Sequence, residues 1–567
     1  MEVGEILLRK GLLDQRQLDL ARQAQADGVR VDQAAIQLGF LTEEATLRAL
    51  GEEVGLEFVD LAEMEGQIDL SLLKGFPARF IHRESLFPIR QSNGFLVVAT
   101  SDPFNLYPLD ELSMATGKTV MPVLAARAEI AKLIKTHLGV GSETVEGLLA
   151  QTADDHVELL DQIESDGSEL SEMAQEPSVI KLVNEILREA LESRASDVHI
   201  ESQASGLRVR YRIDGVLHTQ HMPPEISRFQ AAIISRLKIM ARLNIAERRL
   251  PQDGRIQLKV SGREVDVRVS VMPMIHGEGI VLRLLDKSAM EFSLSKLGME
   301  DDLYATFQEL IRLPHGIILV TGPTGSGKTT TLYSALLEIR SDDTKIITTE
   351  DPVEYQLEGI NQIQVHPKIG LTFGHTLRSI LRHDPDIVLV GEIRDLETAE
   401  NAIQASLTGH LVFSTLHTND AAGAYTRLTD MGVEPFLVSS TVEAVMAQRL
   451  VRTLCQDCKQ PYQPSAVDLP KDFPFEELRG GRPLYRPVGC RVCRHVGYRG
   501  RIGLFELLVT TERVRQLAHD RATSWAIQEA ARQDGMRNLR EDGWRKVLAG
   551  RTTVEEVVRA TKGNSPR

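Results

Sequence analysis

Cysteine, tryptophan and long apolar runs are scarce in this chain of 567 residues: it has four cysteines and two tryptophans, and aromatics make up 5%. So few cysteines exclude a small disulfide-held secreted scaffold. No stretch approaches the roughly 18–20 apolar residues of a bilayer-spanning helix. The opening Met1-Glu-Val-Gly-Glu carries acid where a secretory signal carries basic residues, and no apolar segment follows, so a cytoplasmic protein is expected. Positive charge is also short, with 65 Lys and Arg against 80 Asp and Glu, a net −15. Residues 143–176 hold eleven acids and no Lys or Arg, which leaves the remainder at −15 + 11 = −4. That remainder lacks the basic balance of a nucleic-acid-coating protein, and no nucleic-acid partner is expected. The length suggests several domains and excludes one.

Residues 1–60 contain an echo. Gly11-Leu12-Leu13-Asp14 returns as Gly39-Phe40-Leu41-Thr42, each between apolar-periodic segments, with Asp14 and Thr42 placed as helix N-caps. Two helical hairpins in tandem and a plain helical bundle both fit. Strands at 95–100 and 120–124 and helices at 108–115 and 128–137 follow, making a small α/β unit and a first domain over 1–140. Segment 141–176 has the composition of an acidic, flexible linker with a possible short amphipathic helix. An α+β, Arg-rich domain is expected over 177–290. It has a helix at 179–191, the alternating Leu207-Arg-Val-Arg-Tyr-Arg-Ile213 turning at Asp214-Gly215, and further alternation at 265–271 and 279–285.

An α/β nucleotide domain is read over 291–510, with a cysteine-bearing insert at about 453–495 and helices over 511–567. Gly322-Pro323-Thr324-Gly325-Ser326-Gly327-Lys328-Thr329 fits G-x-x-x-x-G-K-[ST] between a buried strand, 316–320, and a helix, 330–339. The glycines allow a tight turn with inward N–H groups, and the helix N-terminus adds partial positive charge, so the loop can cradle phosphates. Lys328 would reach the β and γ phosphates, and the Thr329 hydroxyl would ligate Mg²⁺, with Thr330 as the adjacent alternative. An apolar strand, Asp386 to Glu392, beside the phosphate loop would end in a carboxylate next to the metal or the attacking water, which makes Glu392 the first candidate for that role. The segment 345–354 ends in Glu350 and Glu354, at the site or as solubilising charge. A further strand, 411–415, lies between His410 and His417, each a capping or core histidine or a sensor of the γ phosphate. The pairs Cys455/Cys458 and Cys490/Cys493 have the spacing of a closed, structural Cys₄ zinc site, with buried free thiols as the plainer alternative.

With these motifs the chain resembles the secretion ATPase superfamily of type II secretion and type IV pilus machines. The resemblance rests on the Walker A loop at 322–329, the aspartate box Thr348-Thr-Glu-Asp-Pro-Val-Glu354, the Walker B segment ending Gly391-Glu-Ile-Arg-Asp395, and the histidine box Gly409 to Asp420. It covers about 177–510 and, more loosely, 1–140. It implies a RecA-like P-loop ATPase domain preceded by an α+β Arg-rich domain and an N-terminal docking domain, using ATP, Mg²⁺ and Zn²⁺. Glu350, Glu354, Glu392 and His417 then become catalytic candidates. Ser196 to Glu201, Arg210 to Gly215, Arg249 to Arg255 and Val267 to Ser270 resemble the family's arginine-bearing signatures, and Arg255 and Arg268 are the expected phosphate contacts.

The same resemblance implies a homohexamer closing its sites by domain movement. It also implies docking, through residues 1–140, on a cytoplasmic partner and an inner-membrane platform. Some members bind cyclic di-GMP there through two Arg-Leu-Gly repeats. Here Glu2-Val3-Gly4 lacks the Arg and Arg30-Val31-Asp32 lacks the Gly, so that ligand is not expected. The zinc element resembles secretion and assembly members, and retraction-type members lack it. Segments 427–436 and 447–452 are more like the secretion branch. The expected function is a cytoplasmic motor for pseudopilus assembly and export in type II secretion. A type IV pilus assembly ATPase is the nearest alternative. A nucleotide-binding regulatory scaffold is an alternative of another class, opposed by intact Lys328, Thr329, Glu350 and Glu392. A DNA-translocating ring has the wrong electrostatics.

Overall fold

The computed structural model describes residues 3–24, 30–61, 64, 68–75, 80–81, 84–92, 94–105, 107–138, 157–159, 174, 176–260, 262–286, 292–478 and 481–561. Most of the expected linker, 141–176, lies outside these residues. The chain divides into two units, Met1–Ser288 and Ala289–Arg567.

The first unit opens with helices Val3–Arg9, Gln15–Gln23, Val31–Gln37 and Glu43–Val54. Asp14 accepts from the Gln17 N–H while the Gln17 side chain returns to the Asp14 N–H, and Thr42 accepts from Ala45. Each cap satisfies a first-turn donor that would otherwise lack an acceptor. Leu7, Leu18 and Ala35 share one core, so the two hairpins of the sequence fold as one bundle. Strands Leu86–Ser92, Phe95–Thr100 and Thr119–Leu124 then form a three-stranded sheet, with helix Tyr107–Thr116 between the second and third strands and helix Arg127–Leu138 after the third.

Helix Pro177–Glu192 is followed by six strands of a seven-stranded, wholly antiparallel sheet. Its order is Val157–Leu159, Gln252–Val260, Arg263–Met274, Gly277–Asp286, Ala195–Gln203, Gly206–Ile213 and Val216–Thr219. The linker reading is corrected at one place: Val157–Leu159 is an edge strand against Leu258–Val260. Alternation sorts the residues by face, with Ile256, Val267, Val269 and Leu282 buried. The register aligns Arg255 with Arg268, Arg268 with Arg283, Arg283 with Asp197, and Asp197 with Arg212. One rung therefore carries four arginines on the face away from the core.

The second unit is built on another seven-stranded sheet. Its order is Asn361–Gln364, Ile346–Glu350, Ile387–Val390, Leu411–Leu416, Gly316–Thr321, Val442–Leu454 and Tyr498–Val509. All neighbours run parallel except the last pair. Ile317 and Leu319 enter one core and Ile318 and Val320 the other, so both faces are covered, as a parallel sheet requires. The strand leading to Glu392 is not the neighbour of the phosphate-loop strand as expected. Leu411–Leu416 lies between them and joins to both. Four helices, Glu512–His519, Ser524–Gln533, Leu539–Leu548 and Val554–Ala560, finish the unit under side-chain caps from Thr511, Thr523, Asn538 and Thr553.

Candidate nucleotide site

Strand Gly316–Thr321 is buried throughout. The loop that follows depends on its glycines: Gly322, Gly325 and Gly327 have φ of +147°, +78° and +89°. A Cβ on Gly322 would lie 2.5 Å from the Gln448 carbonyl, and one on Gly327 would lie 2.8 Å from Gln448 Nε2. Glycine is thus required by backbone angle and by close approach of the neighbouring strand. Gln448 also accepts from Thr331 Oγ1 at 2.7 Å, fixing the helix behind the loop.

Helix Lys328–Ile339 begins at Gly327, which offers no side-chain cap. Its first N–H groups and positive dipole end therefore suit an anion. Ser326 Oγ is buried with no protein partner, as suits a loop shaped around a polar ligand. Lys328 Nζ donates to the carbonyls of Gly322 at 2.8 Å and Pro323 at 3.2 Å. Burial pushes this ammonium below the usual lysine range and Arg449 adds repulsion, while Glu392 acts in the opposite direction. Pro323, Thr324, Gly325 and Thr329 are exposed, and Thr330 is half-buried.

Glu392 lies just beyond strand Ile387–Val390, its side chain 14% exposed. It is paired with Arg394 and stands 3.5 Å from His417 Nε2. The strand ends are stitched together: Ile393 N–H donates to Thr415 O at 3.0 Å, and Thr415 Oγ1 donates to Gly391 O at 2.8 Å. Thr418 N–H donates to Thr321 Oγ1 at 2.8 Å. Strand direction separates the two histidines. His410 is at the start of its strand, where Nδ1 lies 2.8 Å from Ala405 O at the end of helix Leu396–Leu407, a capping position. His417 is at the far end, facing Glu392.

Lys328, Glu392 and His417 are thus brought together, and Glu350 lies deeper, at the end of strand Ile346–Glu350. Its carboxylate is 5% exposed and accepts from Thr348 Oγ1 at 2.7 Å, Gln362 Nε2 at 3.1 Å and the Tyr333 hydroxyl. Those three donors fix the orientation of the carboxylate at the strand end. Glu354 is half-buried on the segment that follows. In the first unit, Arg255 is engaged by Asp266 through Nε and Nη2 beside its rung partner Arg268. The sequence reading missed Arg394 and Arg449. Arg394 was legible as a cation two residues from Glu392. Arg449 had no local signal.

Cys455, Cys458, Cys490 and Cys493 converge with all four Sγ within 4.8 Å of one another, and none is in a disulfide. Contacts of 3.7–3.8 Å between Sγ atoms match the edge, about 3.8 Å, of a tetrahedron with 2.3 Å Zn–S arms. Backbone N–H groups of Cys490 and Gly497 point at Cys493 Sγ, from 3.1 and 3.2 Å. The residues fit a closed zinc site, with nothing left open for a substrate.

A parallel sheet whose strand ends gather a phosphate loop, an acid and a histidine defines a RecA-like P-loop ATPase. The family model described as Type II/IV secretion system protein matches residues 172–559, and the MshEN domain model matches 54–144. The chain is 46% identical to the type II secretion system protein E of Xanthomonas campestris pv. campestris, over 99% of this chain and 98% of that one. It is 42% identical to the type IV pilus assembly ATPase PilB of Myxococcus xanthus, over 98% of each. The structure of the Yersinia pseudotuberculosis ATPase DotB shares the fold, with a TM-score of 0.50 at 20% identity, over 72% of this chain and 100% of that one. The chain belongs to the type II/IV secretion system protein family, the ATPases of type II secretion and type IV pilus assembly.

Proposed function

We propose that this protein is the ATP-hydrolysing motor of a type II secretion system, powering pseudopilus assembly and protein export from the cytoplasmic face of the inner membrane as a homohexamer. One observation carries the reading. Lys328, Glu392 and His417 converge on the phosphate loop of a chain 46% identical, along nearly its whole length, to a type II secretion protein E. Residues 322–330 hold the phosphates of ATP. Thr329 would hold Mg²⁺, which would supply charge neutralisation, and Glu392 orients the attacking water while His417 and Arg394 set its carboxylate. Glu350 and Glu354 are the further catalytic acids of the reading, Glu350 oriented by the donors from Thr348, Gln362 and Tyr333. Arg255 and Arg268 reach phosphate oxygens from the rung of arginines. The four cysteines would hold Zn²⁺ in a structural role.

Residues 1–140 form the docking domain, 141–176 the linker, 177–290 the arginine-bearing domain, 291–510 the ATPase domain with its insert, and 511–567 the helical end. Cyclic di-GMP is not expected on the docking domain. Arg30 is engaged by the buried Asp32 at 2.7 Å and by Asp102 at 2.6 Å, which leaves no free guanidinium for a phosphodiester.

A second reading, a pilus assembly ATPase, is favoured by the 42% identity to PilB. A chromosomal Lys328→Ala replacement, with exported enzymes and surface pili scored in the same cultures, separates the two. Loss of export with normal pili supports the lead, and loss of pili with normal export moves the chain to the pilus branch. ATP turnover by the purified protein that Glu392→Gln abolishes would leave the scaffold alternative without support.

A further inference from the structure

Glu506 has no exposed surface, and nothing in the chemistry above uses it. It lies on strand Tyr498–Val509 opposite Ala447, with Arg449 two residues along that neighbouring strand. One carboxylate oxygen accepts from the Ala421 N–H at 2.8 Å and the other from the Leu539 N–H at 3.3 Å. Ala421 closes the loop that begins at His417, and Leu539 opens helix Leu539–Leu548. Arg449 grips the same loop at Asn419. It donates to Asn419 O at 2.8 Å, and its Nη1 lies 3.1 Å from where a Cβ on Gly322 would be. Among the described residues Arg449 makes no ion pair.

The loop carrying His417 is therefore held at residue 419 by a cation standing on the phosphate loop. It is held at residue 421 by an acid that also holds the start of a C-terminal helix. A buried carboxylate with only backbone donors is an expensive way to gain stability, because desolvation of the charge is offset by no salt bridge. Burial accordingly pushes its pKa up to about 7, with Asp420 adding to the rise and Ala421, Leu539 and Arg449 opposing it. Position, rather than stability, is what this group supplies.

We infer that Glu506 is a positioning residue that joins the His417–Ala421 loop to helix Leu539–Leu548, so that the phosphate site and the C-terminal helices respond to nucleotide together. The inference rests on the nucleotide-site reading above.

The test uses the full-length chain and Glu506→Gln, whose single carbonyl can accept from only one of the two N–H groups. Steady-state ATP turnover, thermal unfolding at pH 8, and amide hydrogen exchange with and without ATPγS are compared with wild type. In the wild type ATPγS slows exchange at 322–330 and at 539–548. In Glu506→Gln the protection at 539–548 is lost while that at 322–330 persists. Its kcat falls at least about fivefold with KM within about twofold, and its Tm stays within a few degrees. Unchanged kcat, retained protection at 539–548, or no such protection in the wild type overturns the inference. If the Gln variant does not fold, Arg449→Lys decides, since it keeps the charge and loses the fork on Asn419. The same split is expected, and wild-type coupling in that variant is the overturning result. A wild type with no turnover and no protection at 322–330 would instead defeat the nucleotide-site reading itself.

Discussion

The two seven-stranded sheets place their chemistry differently. The antiparallel sheet of the first unit keeps one face for its core and presents arginines 212, 255, 268 and 283 across the other. The parallel sheet of the second unit is buried on both faces, so the strands themselves carry no reactive group and function is pushed to their C-terminal ends. A sheet with one wet face can present a row of charge. A sheet with none can only present its rim.

The largest effects should fall on the rim. Lys328→Ala and Glu392→Gln are each expected to lower phosphate release by roughly 10²–10³-fold, with Tm nearly unchanged because neither side chain fills a core. Glu392→Gln should retain nucleotide affinity that Lys328→Ala loses. If Glu350→Gln matched Glu392→Gln in turnover while leaving Tm alone, Glu350 would act at the rim; a lowered Tm with turnover per folded molecule unchanged would leave it only the structural role its three donors supply.

On the open face, neighbours should behave oppositely. Arg268→Ala is expected to lower turnover about tenfold or more with folding intact. Leu282, aligned with Val269 on the buried face, should cost about 2–5 kcal/mol of stability when changed to Ala, with turnover per folded molecule unaffected. Arg255→Ala should do both, because Asp266, 4% exposed, loses its guanidinium partner; the stability part is about 1–3 kcal/mol. Denaturant titration alongside turnover checks all three, and a purely structural result for Arg268 would remove the arginine rung from the nucleotide chemistry.

The cysteine element should contribute to stability rather than to rate. Leu484 of the insert shares a core with Trp544 and Val547, and Leu454 N–H donates to Arg551 O at 2.8 Å, so the insert and the C-terminal helices fold as one body. Metal removal, or Cys493→Ser, is expected to lower Tm by roughly 5–10 °C while turnover measured well below Tm persists. Loss of turnover at unchanged Tm would place the site in the mechanism.

What could be read in advance was local. The phosphate loop announces itself because its glycines, lysine and threonine are consecutive, and the capped helices at Asp14 and Thr42 do so for the same reason. Glu392 was legible as the end of an apolar strand, but strand order was not, and so the insertion of Leu411–Leu416 between the two functional strands could not be anticipated. Glu350 looked identical to Glu392 as a strand-end acid. Tyr333 and Gln362, distant in sequence, decide that it faces inward. Val157–Leu159 carries no strand signal within an acidic stretch, and only the edge offered by Leu258–Val260 makes it one. Arg449 and Glu506 acquire meaning only through Asn419 and Ala421.

The smallest effect concerns two buried glutamates of the second unit with opposite signs. Burial would raise Glu556, but hydrogen bonds from Arg452 and Arg559 overcome it and hold the acid at about 2. Burial without an ion pair raises Glu506 to about 7. For Glu556 the folded state binds its proton more weakly than the unfolded chain, so its contribution is present above pH 4.5 and is lost as pH falls toward 2. For Glu506 the folded state binds the proton more tightly, so its contribution is full below pH 4.5 and is lost as pH rises through 7. Calorimetry of the wild type should therefore show stability declining between about pH 5 and 7 by on the order of 1–3 kcal/mol from Glu506. Glu506→Gln should flatten that decline, and Glu556→Gln should lower Tm at pH 7 yet weaken the acid-side loss. Parallel curves for wild type and Glu506→Gln between pH 5 and 7 would mean that the rim's anchor does not titrate there.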